Sequence, residues 1–185
     1  RADGSAYEDW EEKKLGEMLI EVSEKTTSNN QFNAISSTAK GLFLQSDYFT
    51  REIASKNNIG YKILSLNQLV FSPQNLWLGN INVNLNFEKG IVSPSYKIYS
   101  FEKNILDVLF ASYIMKTKEL LYEYILCSEM GASVVRRNLN IDLFLKIKIN
   151  LPSLEEQTQI ANFLSAIDVK IEKLSEQIEA TENYK

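Results

Sequence analysis

An α+β architecture, a mixed globular head followed by a long C-terminal coiled-coil helix, is what this sequence predicts, and three observations predict it. Short apolar pieces separated by Asn, Ser, Gly and Pro fill residues 32–101, a run rich in Leu, Ile, Tyr and Phe fills 104–127, and apolar residues recur at intervals of four and three from 160 to 178. At 185 residues, 44% hydrophobic and 11% aromatic, the chain holds enough apolar side chain for a core that needs no staples. Residues 1–6 lack periodicity and are expected outside the fold as an appended or frayed terminus; 7–151 is expected to form the head and 152–185 the helix.

From Tyr7 to Val22, the apolar positions Trp10, Leu15, Met18, Leu19 and Val22 among Glu and Lys suggest a short amphipathic helix or a loop entering one. A polar loop follows at 26–30. Strands are expected at 32–36, 61–64, 69–72, 81–87 and 96–101, and the strict alternation of Ile81 to Phe87 predicts burial of one face only. Asp47 to Lys56 reads as helical, with Ser46 or Asp47 as its N-cap. Asn104 to Cys127 is long enough for a helix of about six turns. Its buried face would carry Leu106, Leu109, Phe110, Tyr113 and Leu120. After Gly131 come a loop holding Arg136-Arg137-Asn138, a helical turn at 140–145 and a strand at 146–149.

Ser153 followed by Glu156 is a capping box that starts the last helix. Ile160, Leu164, Ile167, Ile171, Leu174 and Ile178 then keep a/d spacing, a narrow seam that requires a second helix. From 153 to 185 such a helix extends for about 50 Å at 1.5 Å per residue, so it should project from the head.

The composition excludes much chemistry. With no histidine and one cysteine, Cys127, there is no Ser-His-Asp triad, no Cys-His nucleophile, no histidine metal site and no intramolecular disulfide. No Gly-rich phosphate loop is present, and the prolines are isolated at 73, 94 and 152, so the Asn-Pro-Pro-Phe type of methyltransferase tetrapeptide is missing too. No signal peptide or membrane-spanning run is evident, and the expected location is the cytoplasm.

The net charge of −4 conceals a division: residues 26–150 carry 13 basic and 9 acidic side chains between two acidic flanks. A modest basic surface on the middle segment could meet phosphate. Arg136 and Arg137 can grip phosphate or read guanine, and Asn138 can read adenine; the same group fits an unengaged surface equally. Gln74, Asn75 and Asn80 offer amides beside Trp77, which reads as a structural anchor, while Lys40, Arg51, Lys56 and Lys97 are scattered cations in or beside expected loops.

Leu151-Pro152-Ser153-Leu154-Glu155-Glu156-Gln157-Thr158-Gln159-Ile160-Ala161-Asn162-Phe163-Leu164, running into the heptads, resembles the spacer region of the DNA specificity subunit of type I restriction-modification systems. The segment Asn138 to Ile149 is similar to that family's approach to the Leu-Pro, and Trp10 to Glu17 to its domain entry. The resemblance implies a non-catalytic target-recognition domain that reads one half of a bipartite site in double-stranded DNA, with a helix that sets the gap between halves. It assigns S-adenosylmethionine, ATP and magnesium to partner methyltransferase and restriction subunits, with none bound by this chain. Family members usually carry two recognition domains and two spacer helices, whereas this sequence has one of each. It is therefore expected to be either a piece of a longer subunit, completed by a second recognition half, or a half-subunit that forms a homodimer through the seam. The alternative from the residues alone is a coiled-coil protein-interaction adaptor without DNA binding.

Overall fold

The computed structural model describes residues 9–48, 57–133 and 136–182. In chain order the elements are β1 (Glu11–Lys14), α1 (Leu15–Met18), β2 (Leu19–Val22), β3 (Ile35–Thr38), β4 (Gly41–Leu44), α2 (Gln45–Tyr48), β5 (Lys62–Ser65), β6 (Leu69–Phe71), β7 (Ile81–Val83), β8 (Lys89–Val92) and β9 (Lys97–Phe101). They continue with α3 (Val108–Ile114), α4 (Lys118–Leu126), β10 (Ser128–Ser133), β11 (Arg136–Leu139), α5 (Ile141–Lys146), β12 (Lys148–Leu151) and α6 (Leu154–Glu182).

The centre of the head is an antiparallel sheet in the order β2-β9-β6-β7. Successive strand residues point to opposite faces, and here both faces are covered. Leu69 and Phe71 join a large core with Leu15, Met18, Phe110, Tyr124 and Phe144, while Val70 between them joins a smaller one with Ile35, Leu64, Val92 and Ile98. All three β6 residues are consequently buried. Phe144 sits where the elements converge, its ring 5.0 Å from that of Phe71 and 5.7 Å from that of Tyr124.

Several expectations need correction, each for a physical reason. Residues 11–22 are not a helix: β1 pairs with β12 and β2 with β9, so long-range ladders claim the backbone on either side of a single turn whose Leu15 and Met18 are buried. The 104–127 helix is broken in two at Met115–Thr117. Asp107 caps α3 by accepting from Phe110 N at 2.8 Å, Thr117 caps α4, and the Tyr124 hydroxyl donates to the Met115 carbonyl. The strand at 81–87 stops at Val83, where the buried Asn84 amide bonds the Ser65 and Phe87 carbonyls and accepts from Phe87 N, forming a turn. Asn82 is buried as well, so this strand does not expose a polar face. Arg136-Arg137-Asn138 lies in β11, paired with β10, and not in a loop. Strand β3 starts at Ile35, and of the helix expected at 47–56 only the residues within α2 are described, 49–56 lying outside the described residues.

The end of the chain follows the local signals. Asn140 caps α5, accepting from Leu143 N at 3.1 Å, and β12 leads through Pro152 into α6. Ser153 Oγ accepts from Glu156 N at 3.4 Å, which is one half of the capping box. The Glu156 carboxylate instead accepts from the Trp10 indole at 3.3 Å, tying the helix to the approach to β1. At 29 residues, α6 is about 43 Å long.

Candidate nucleic-acid interface and helical seam

The loop from Ser72 to Asn80 joins β6 to β7 and holds two hairpins together. Ser72 N donates to the Asn80 carbonyl at 3.2 Å, Leu76 is buried as an anchor, and Gly79 takes the left-handed conformation, φ 82°, that ends the 3-10 turn at 76–78. On one side, Asn80 and Ser37 of β3 bond reciprocally. Ser37 Oγ donates to Asn80 Oδ1 at 2.6 Å, and Asn80 Nδ2 donates to the Ser37 carbonyl at 3.0 Å. On the other side, Arg137 N of β11 donates to the Gln74 carbonyl at 3.2 Å, and the guanidinium lies 5.0 Å from the centre of the Trp77 ring.

The sequence candidates therefore divide. Gln74, Asn138 and Lys40 are exposed, Lys40 at the β3–β4 turn, and Asn75 is half-buried with its carbonyl accepting from Leu78 N and Asn80 N. Asn80 is 7% exposed and its amide is committed to Ser37. Lys97 pairs with Glu21 at 2.6 Å, which neutralises it locally. Arg137 is half-buried and its terminal nitrogen reaches the Ile125 carbonyl at 3.5 Å. The Arg136 backbone opens β11, while its side chain, like the whole of Arg51 and Lys56, lies outside what the structure describes.

One cation escaped the sequence reading. Lys116, at the joint of α3 and α4, donates to Asn82 Oδ1 at 2.7 Å and reaches the Ala39 carbonyl at 3.4 Å, fastening the β3–β4 turn to the helices. Burial pushes its pKa below the ordinary lysine value. The charged break Lys116-Thr117-Lys118-Glu119 between two apolar runs is the available signal.

On α6 the seam changes character along its length. Ile160 and Leu164 are half-buried and border an apolar groove of about 910 Å³ shared with Trp10, Phe110, Tyr113 and Ile149. Further out, Ile171, Leu174 and Ile178 are 56%, 58% and 59% exposed. Lone exposed aliphatics are ordinary; these three form a row at the heptad spacing of a coiled-coil seam, on a stretch of helix that its own head does not cover.

A family model of the type I restriction modification DNA specificity domain matches residues 7–182, spanning head and helix alike. The chain belongs to that family. The type I restriction enzyme MjaVIII specificity subunit of Methanocaldococcus jannaschii is 28% identical over 96% of this chain and 40% of its own length. Among solved structures, the HsdS subunit from Thermoanaerobacter tengcongensis superposes with a TM-score of 0.61 at 18% identity, over 90% of this chain and 44% of that one. The S subunit of a type I restriction-modification system from M. genitalium gives 0.54 at 17% identity, over 92% and 42%. These structures share the fold, and the specificity domain described here spans less than half the length of the relatives it matches.

Among the described residues no group of three or more Cys, Asp or Glu is placed to hold a metal ion. Cys127 is buried and its thiol pKa is raised, chiefly by desolvation, which disfavours the nucleophilic thiolate. No helix among the described residues is long and apolar enough to cross a membrane.

Proposed function

We propose that this specificity domain recognises one half of a bipartite sequence in double-stranded DNA and that α6 is the spacer by which it pairs with a second helix. The observation that carries the reading is the unbroken family match across head and helix, residues 7–182. The head's contribution is a set of polar loops and hairpin strands bound to the Ser72–Asn80 loop, with Lys40, Gln74 and Asn138 exposed on them. Asn138 and Gln74 have the amides that read base edges, and Lys40 supplies a charge for phosphate. Arg137 is folded back over Trp77, which holds its guanidinium against the head and suits it to a backbone phosphate. The specificity domain itself is non-catalytic. S-adenosylmethionine, ATP and magnesium belong to partner methyltransferase and restriction subunits, and the second helix comes from a second copy or from the other recognition half of a longer chain.

The test is DNA affinity measured against salt for the specificity domain in complex with its cognate methyltransferase subunit. If about five phosphates are neutralised, log K falls against log salt with a slope near −4.5. A flat response overturns the reading. Long-read mapping of N6-methyladenine in cells expressing the pair then gives the motif, and a palindromic split site identifies the second helix as another copy.

A further inference from the structure

Gln157 lies at the root of α6, 1% exposed, with every hydrogen-bonding position of its amide except one acceptor lone pair in use. Its Oε1 accepts from Asp107 N at 2.8 Å, and its Nε2 donates to the Ile105 and Pro152 carbonyls, both at 2.9 Å. Asp107 is also the N-cap of α3. One side chain thus ties the start of α6 to the start of α3 by directional bonds, where an apolar residue of similar size would supply packing alone.

A second tie lies eleven residues further along α6. The Tyr113 hydroxyl, near the end of α3, donates to Asp168 Oδ2 at 2.7 Å. The two anchors are about 16 Å apart along the axis. A helix held at one point can swivel about it, whereas two separated points define a line. Beyond Asp168, every described residue of α6 is exposed, and the side-chain hydrogen bonds of Ser175 and Thr181 go to the helix's own carbonyls.

From these ties we infer that Gln157 and the Tyr113–Asp168 pair are spacing determinants: they fix the angle at which α6 leaves the head, and so the number of base pairs tolerated between half-sites. The inference rests on the proposed reading of function. Lever arithmetic shows why the joint matters. A swing of about 10° at the root moves the tip of a helix roughly 43 Å long by about 7 Å, close to two base-pair steps of 3.4 Å. Holding the gap to one length therefore requires a joint stiff to about 5°, and α6 beyond Asp168, exposed along its described length, adds no buried contact with the head.

The experiment uses the complex with the cognate methyltransferase subunit and two variants, Q157L combined with D168A, and Y113F alone as the milder change that leaves the buried amide intact. Motifs are mapped by N6-methyladenine sequencing. In parallel, the separation of spin labels placed at Lys103 in the head and Glu176 on the helix is measured. The expected result is unchanged half-site bases, a single gap length in the wild type, two or more in the double variant, and a broader label-to-label distribution in both variants. A double variant that keeps one gap length, or an unchanged label distribution, overturns the inference. A wild type with no methylated split motif overturns the underlying reading of function instead.

Discussion

The Arg137 guanidinium stands 5.0 Å from the centre of the Trp77 ring, joining β11 to the Ser72–Asn80 loop across 60 residues of sequence. The same strand donates its Arg137 N–H to the Gln74 carbonyl, so the hairpin and the loop are tied through the backbone as well. Cation–π contacts of this kind are worth about 0.5 to 1 kcal/mol when exposed and about 2 when desolvated. A double-mutant cycle of Arg137→Gln and Trp77→Leu, followed by urea unfolding, is expected to give a coupling of about 1 kcal/mol. A coupling of zero would mean that the ring and the cation are neighbours without mutual stabilisation. Separately, Arg137→Gln is expected to weaken binding to target and scrambled duplexes equally and to reduce the magnitude of the salt slope by about 0.9, as loss of one phosphate contact does.

Gly90 sets how closely β3 approaches β8. A Cβ at this position would lie 2.2 Å from Ile35 Cδ1 and 3.1 Å from the Asn33 carbonyl oxygen, and Ile91 N bonds that same carbonyl. Gly90→Ala is expected to destabilise the protein by about 1 to 3 kcal/mol, the usual cost of overpacking a core. Much of that cost should vanish in an Ile35→Ala background, where the clashing atoms are gone, although the background itself is weakened by its cavity. Denaturant midpoints of the four proteins measure both terms, and strict additivity would assign the strain to backbone instead.

How much of this was legible in the sequence depends on how local the deciding interaction is. The start of α6 at Pro152-Ser153 and the helical turn at 140–145 are written within a few residues of where they form, and both are legible. Residues 11–22 read as helical because their strand partners lie at 148–151 and 98–101, more than 75 residues away, and a four-residue turn between two strands mimics helical spacing. Strands β4 and β8 carry no alternation of their own: β4 is half-buried throughout, β8 begins Lys-Gly, and each takes its identity from the strand opposite, β3 and β5. Within the site, the sequence could rank Arg137 as a cation but could not see that Trp77 lies beneath it. Gln157 stood inside a recognised motif, yet nothing near it in sequence announces that its bonds go to Ile105 and Asp107.

Burial first, then the hydrogen bond and charge of Asp168, push the Tyr113 phenol up to about 12. Its folded value thus exceeds the roughly 10 of an unfolded tyrosine, so the stabilisation linked to this proton is complete below pH 10 and lost as pH rises through 12. Carbon-13 NMR of labelled tyrosines is expected to give a midpoint near 12 for Tyr113. Asp168→Asn should lower that midpoint without returning it to 10, because the desolvation remains. A wild-type midpoint at 10 would show that neither the burial of the phenol nor its bond to Asp168 persists in solution.

The seam has a limited energy to offer a second molecule. Ile167, Ile171, Leu174 and Ile178 remain exposed, and burying four aliphatic side chains contributes roughly 6 to 12 kcal/mol at most. Bringing two molecules together costs about 4 to 15 kcal/mol, so separate copies should pair weakly to moderately, whereas two such helices within one longer chain would avoid most of that cost. Sedimentation equilibrium is therefore expected to show a concentration-dependent monomer–dimer exchange. Ile171→Lys with Leu174→Lys should abolish it, since each charge would lie in the apolar interface. Both positions are exposed and lie beyond the last tie to the head, so the head's unfolding free energy should change by less than about 0.5 kcal/mol, as for ordinary surface substitutions. A dimer that survives both lysines would place the association surface on the head, with the groove between Trp10 and Leu164 as the first place to look.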